Sequence, residues 1–195
     1  RWWHQCARWP RPAAPAWLWA LSPLLAGGLL LGLGGLAGRP WPPLEAFNHY
    51  PGTVPGWPLW AALLQAWLFN GWGEEGGWRG WLWPRLRRRH GPLATAAWVA
   101  LCWGAWHAPL FVLNQGMAAL LGPALLGWAL GLLAGSICLG WLWERTRSVP
   151  VLATWHTGFN LVVATPPGQG LPAAVLSTAV MLAALAVAWH WRRRP

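Results

Sequence analysis

The chain contains no aspartate and no lysine, and only four glutamates stand against 14 arginines in its 195 residues. Charged residues make up 9% of the sequence and hydrophobic ones 56%, which leaves too little charge to solvate the surface of a water-soluble domain. Cysteine is scarce as well. Cys6, Cys102 and Cys138 are too few and too irregularly spaced for a disulfide framework or a thiolate metal site, and Cys102 and Cys138 read as small buried apolar residues. No His-Glu-x-x-His helix, no internal repeat and no separate soluble segment occurs.

What is present is hydrocarbon in long runs. The apolar stretches between breakers approach or exceed the ~20 residues that cross a bilayer as helix, so the fold expected is all-α, a polytopic transmembrane helix bundle of about six spans. The spans fall at roughly 13–37, 58–83, 92–113, 117–143, 150–164 and 171–191, separated by Pro and Gly clusters such as Pro40-Trp41-Pro42-Pro43, Gly91-Pro92 and Pro166-Pro167-Gly168. One integral membrane domain, residues 1–195, accounts for the length, with a core of interest at 58–164. The weakest span, 150–164, must begin before Pro150 or lie short and sheltered among its neighbours. The chain opens on Arg1 without an initiator Met, as it would if an upstream piece were missing, and 13–37 reads as a retained span rather than a signal peptide.

The formal charge of +10 does not indicate nucleic acid, because the arginines are not spread over a soluble face. They cluster at the ends of apolar runs, at 1, 8 and 11, at 85 and 87–89, at 145 and 147, and at 192–194. These are alternate connections of a six-span weave, so the positive-inside rule puts both termini in the cytoplasm. The coding bias toward Arg, Gly, Pro, Ala and Trp suits a GC-rich bacterial genome, and the expected location is a bacterial cytoplasmic membrane. Trp17, Trp57, Trp60, Trp81, Trp83, Trp141, Trp143, Trp189 and Trp191 flank the breaks, as interfacial belts do. His4, His49, His90 and His190 lie in loops or at span ends and read as solvated or interfacial side chains.

The polar residues left inside spans carry the functional argument. A carboxylate in hydrocarbon is costly and points to function, and Glu74 and Glu75 stand side by side in the second span, with Arg79 four places on. Glu75 and Arg79 share a helical face at i,i+4, where they can neutralise each other. Glu74 points about 100° away, so this pairing marks Glu75 as the structural acid and leaves Glu74 for proton transfer. Gly73, Gly76 and Gly77 open the adjacent backbone to close approach. His156 and Asn160, again i,i+4, can offer an imidazole and an amide together to a developing oxyanion or a metal. His107 has Trp103 one turn before it and Pro109 just after, and a backbone carbonyl could satisfy it. Together these groups should converge on one cavity, because each left alone in lipid would cost several kcal/mol.

Glu74-Glu75 with Arg79, Trp103 with His107, and His156 with Asn160 follow one another across about ninety residues. This order resembles the three-motif signature of the CPBP intramembrane proteases, the CAAX-protease and bacteriocin-processing (Abi) family. The usual Phe of the second motif is Trp103 here. The resemblance implies an endopeptidase that hydrolyses a peptide bond of a membrane-associated peptide or protein, with the lipid bilayer as its other partner. It implies Glu74 as the base that activates water, His107 as a group that holds that water, and His156 and Asn160 as oxyanion stabilisers. Glu75 and Arg79 then support the second helix. The family is commonly labelled metalloprotease, and His107, His156 and Glu74 could fill three zinc positions. Because these come from three separate helices, a metal-independent, Glu-activated water is slightly favoured over Zn2+. Two other classes fit less well: a non-catalytic immunity or scaffold protein of the same fold, and a small transporter, which would show inverted repeats or paired broken helices.

Overall fold

In the computed structural model the described residues are Ala7, 13–50, 53, 54 and 56–193. Arg1, Arg8, Arg11, Arg194, Cys6 and His4 lie outside them. Every regular element among the described residues is helical, as the apolar runs require. Four helices are long and apolar enough to cross a membrane: Ala14–Leu36, Pro92–Leu113, Pro123–Thr146 and Leu171–Arg193. The other two expected spans are helical but differently built. The second is a succession of α-helix Leu59–Ala66, π-helix Trp67–Gly73, π-helix Gly76–Leu82 and α-helix Trp83–Leu86. The fifth is the short helix Val149–Ala164, with Pro150 in its first turn where a missing N–H costs nothing.

Boundaries moved where Pro and Gly act. The fourth span begins at Pro123 rather than near 117, because Gly122 takes a positive φ of 115° and Pro123 opens the helix. Asn114 caps a short turn, Gln115–Ala118, by accepting from the Met117 amide at 3.0 Å.

The described chain forms two compact units. The first comprises residues 1–77 and 146–179, the second 78–145 and 180–195. In the first, Val149–Ala164 packs between Ala13–Leu36 on one side and Trp67–Gly73 on the other. Ten of its residues are buried, from Val149 to Val162, so the short span is sheltered as its length demands. Two glycines set the close approach of the long helix: Gly27 faces Val162, and Gly158 faces Leu24.

In the second unit, Ser136 Oγ donates to the Ala96 carbonyl at 2.8 Å, joining Pro123–Thr146 to Pro92–Trp106. Gly140 leaves the space that the Trp83 indole fills, and Trp83 in turn meets Trp191 with ring centroids 6.2 Å apart. Trp83 and Trp143 are fully buried and Trp191 nearly so. These three belong to the core rather than to an interfacial belt, whereas Trp57, Trp60, Trp81 and Trp189 are exposed as a belt requires. Cys102 is also exposed, not buried, because its position on Pro92–Trp106 faces away from the partners of that helix. Arg87 Nε lies 2.8 Å from Glu144 Oε1, which brings the 85–89 arginine cluster to the same end of this unit as Arg145.

Candidate active site

Glu74 and Glu75 are the two residues between the π-helical stretches. A π-helix closes i→i+5 hydrogen bonds, is rare, and is found mostly at functional sites. The first stretch owes its placement to Gly71. A Cβ there would lie 2.5 Å from Thr157 Oγ1 and 2.7 Å from the Ala153 carbonyl oxygen, so backbone rests directly on the Val149–Ala164 helix. Ala153, His156, Thr157 and Asn160 recur at the spacing of one helical face. Trp67 ties the same two elements from the other side, its Nε1 donating to Thr154 Oγ1 at 3.1 Å.

Glu75 is fully buried, and its Oε1 lies 2.8 Å from His156 Nδ1. An ionised carboxylate only accepts, so with Glu75 ionised Nδ1 carries the hydrogen of this contact. The i,i+4 argument pairs Glu75 with Arg79 of its own helix; the imidazole of His156 is a partner from another helix that the spacing could not show. One turn beyond His156, Asn160 Nδ2 donates to the Tyr50 hydroxyl at 3.1 Å. Glu74 is half-buried. Burial pushes the Tyr50 phenol up to about 12; the Asn160 hydrogen bond opposes that rise and the nearby Glu74 charge adds to it.

Arg79, Trp103 and His107 belong to the second unit. The Arg79 guanidinium is fully buried, with its carbon 4.9 Å from the Trp103 ring centroid, a cation–π contact that an indole serves better than a phenyl ring. Gly135 faces the same indole, which a Cβ there would meet at 3.7 Å. His107 caps the helix Pro92–Trp106, and its Nδ1 lies 2.7 Å from the Trp103 carbonyl. A carbonyl accepts only, so Nδ1 donates and the Nε2 lone pair is left available in the neutral ring. The ring also meets Trp128 edge-on, 5.6 Å between centroids.

The first unit therefore assembles Glu75, His156 and Asn160, with Glu74 next in the chain, and the second holds Arg79, Trp103 and His107. Two contributors escaped the sequence reading. Gly71 lies outside the motif, and Tyr50 sits in a connection between spans. The one signal for Tyr50 was its singularity, since the chain has 22 tryptophans and one tyrosine. Among the described residues no three His, Cys, Asp or Glu side chains are grouped so as to hold a metal ion.

Compared with known families, residues 55–162, more than half of the chain, match the description type II CAAX prenyl endopeptidase Rce1-like. No curated protein and no solved structure matches the chain.

Proposed function

Because the chain belongs to the Rce1-like family of type II CAAX prenyl endopeptidases, we propose that it hydrolyses a peptide bond of a membrane-associated peptide or protein by a water that Glu74 activates. The observation that carries this reading is the buried pair of His156 Nδ1 and Glu75 Oε1 at 2.8 Å, with Asn160 one turn on. It holds an imidazole one turn from an amide and next in the chain to the second carboxylate, Glu74.

In the step envisaged, Glu74 takes a proton from water as the oxygen attacks the scissile carbonyl carbon. The carbonyl oxygen becomes an oxyanion that accepts from Asn160 Nδ2 and from His156 Nε2–H, which is present when the ring carries both protons. Glu75 holds Nδ1 and balances the charge of that doubly protonated ring. Glu74 then passes its proton to the departing amine as the C–N bond breaks, giving a new carboxylic acid and a new amine, and the acid hands its proton to the amine to leave a carboxylate and an ammonium group. His107 is assigned to holding the water, on the motif pattern and on its available Nε2. Arg79 and Trp103 support the turn that follows the glutamates. An apolar hollow of about 580 Å³, lined by Val54, Trp57, Trp60, Leu64, Leu68 and Phe69, precedes Glu74 along its helix and suits the apolar anchor of a tethered substrate.

The test is incubation of purified protein with a panel of membrane-tethered peptides. Wild-type protein is expected to release a defined fragment and Glu74→Ala none; cleavage that survives in Glu74→Ala would overturn the assignment.

A further inference from the structure

The contact between Asn160 and Tyr50 joins a motif residue to one that no motif contains. Tyr50 is held from the backbone outward. The turn Leu44–Asn48 packs on Leu59–Ala66 and on the turn Pro166–Gly168. Thr53 Oγ1 donates to the carbonyls of Asn48 at 2.9 Å and Tyr50 at 2.7 Å, and the Thr53 amide reaches the same Tyr50 carbonyl at 3.0 Å. Asn48 Nδ2 closes the loop on the Trp57 carbonyl. With its backbone fixed in this way, the Tyr50 side chain is 8% exposed and ends at Asn160.

A primary amide has two N–H groups and rotates freely about its last torsion unless something holds it. We propose that Tyr50 is a positioning residue for Asn160: its hydroxyl accepts one amide hydrogen and so turns the second toward the oxyanion. The proposal rests on the reading of Asn160 as an oxyanion donor. An oxyanion-hole donor stabilises the transition state only if it is already aimed where the charge will develop. A phenol held protonated up to about pH 12 remains the same acceptor throughout any working pH.

Two measurements test it. Because the chain has a single tyrosine, growth on 3-fluorotyrosine places fluorine at Tyr50 alone. Its 19F resonance in detergent is expected to move on Asn160→Ala, and a resonance that stays in place overturns the contact. This readout does not depend on hydrolysis, so it separates failure of the contact from failure of the protease reading, which Glu74→Gln tests. In the kinetic measurement, Tyr50→Phe keeps the ring and removes the acceptor. It is expected to lower kcat up to about tenfold, the worth of one hydrogen bond, with KM within about twofold and the pH profile unchanged in shape. Asn160→Ala should lose about 100-fold, and adding Tyr50→Phe to it should cost nothing more. A full additional loss in the double variant, or a change in KM alone, would show that Tyr50 does not act through Asn160.

Discussion

Replacing Gly71 with alanine places a methyl group where none fits. The new Cβ would lie 2.7 Å from the Ala153 carbonyl oxygen, well inside the 3.4 Å at which ordinary contact begins. Thr157 Oγ1, at 2.5 Å, can rotate away, but the carbonyl is part of the Val149–Ala164 helix and cannot. The helix carrying His156 and the stretch carrying the glutamates must therefore separate by a fraction of an ångström. Overpacking of this kind costs about 1–3 kcal/mol of stability, whereas a displacement approaching 1 Å at a catalytic constellation costs on the order of 100-fold in rate. Gly71→Ala should accordingly still fold, with a lowered unfolding temperature, while its rate falls by up to about 100-fold, read as fragment release from a tethered peptide beside thermal unfolding in detergent. The control is Gly77→Ala, six residues on and beside open space, which should be neutral in both. Equal losses in the two variants, or full activity in Gly71→Ala, would refute the claim that this contact sets the site.

The two glutamates should separate by role. Glu74→Gln is expected to abolish hydrolysis with thermal unfolding unchanged, while Glu75→Gln should lower stability by about 1.5–3 kcal/mol through loss of a charge-assisted hydrogen bond and retain partial activity in the protein that folds. In a background without native cysteines, Gly77→Cys should react with an impermeant thiol reagent added from the cytoplasmic side, as the arginine pattern requires; labelling from the opposite side alone would reverse the topology. Thr157, one residue past His156, is 5% exposed, so Thr157→Cys should stay unreactive. Tyr50 ionises at about 12 when folded against 10.0 as an ordinary phenol. The folded state therefore holds its proton more tightly, and the stability this provides is complete below pH 10 and lost between about 10 and 12. Alkaline unfolding in that window should be blunted in Tyr50→Phe.

Helices and breakers were legible because hydrocarbon runs and Pro-Gly clusters are local signals, and the length of 150–164 left a choice between an earlier start and shelter, which the burial of Val149–Ala164 decides for shelter. The i,i+4 logic placed His156 and Asn160 on one face, which the contacts with Glu75 and Tyr50 share. The same logic could offer Glu75 only a same-helix cation, since spacing carries no information about another helix; the His156 partner needed the packing of Gly71 on Ala153. Tryptophans at span ends looked alike in sequence, yet Trp83 and Trp143 are core and Trp81 is not; for Trp83 the difference is the space that Gly140 leaves on the facing helix. The π-helical turns left no trace that composition could show.

Those turns make the position of Glu74 and Glu75 a matter of counting. A residue of an α-helix advances about 100° and 1.5 Å, and one of a π-helix, with its i→i+5 bonds, turns somewhat less, so a chain one residue shorter within Trp67–Gly73 would present the carboxylates to a different neighbour even if every remaining side chain were kept. Replacement of an exposed side chain in this interval, such as Trp81, is therefore a milder change than loss or gain of a single residue. Among relatives of this protein, variation in length should collect in connections such as 39–43 and leave this interval at constant length.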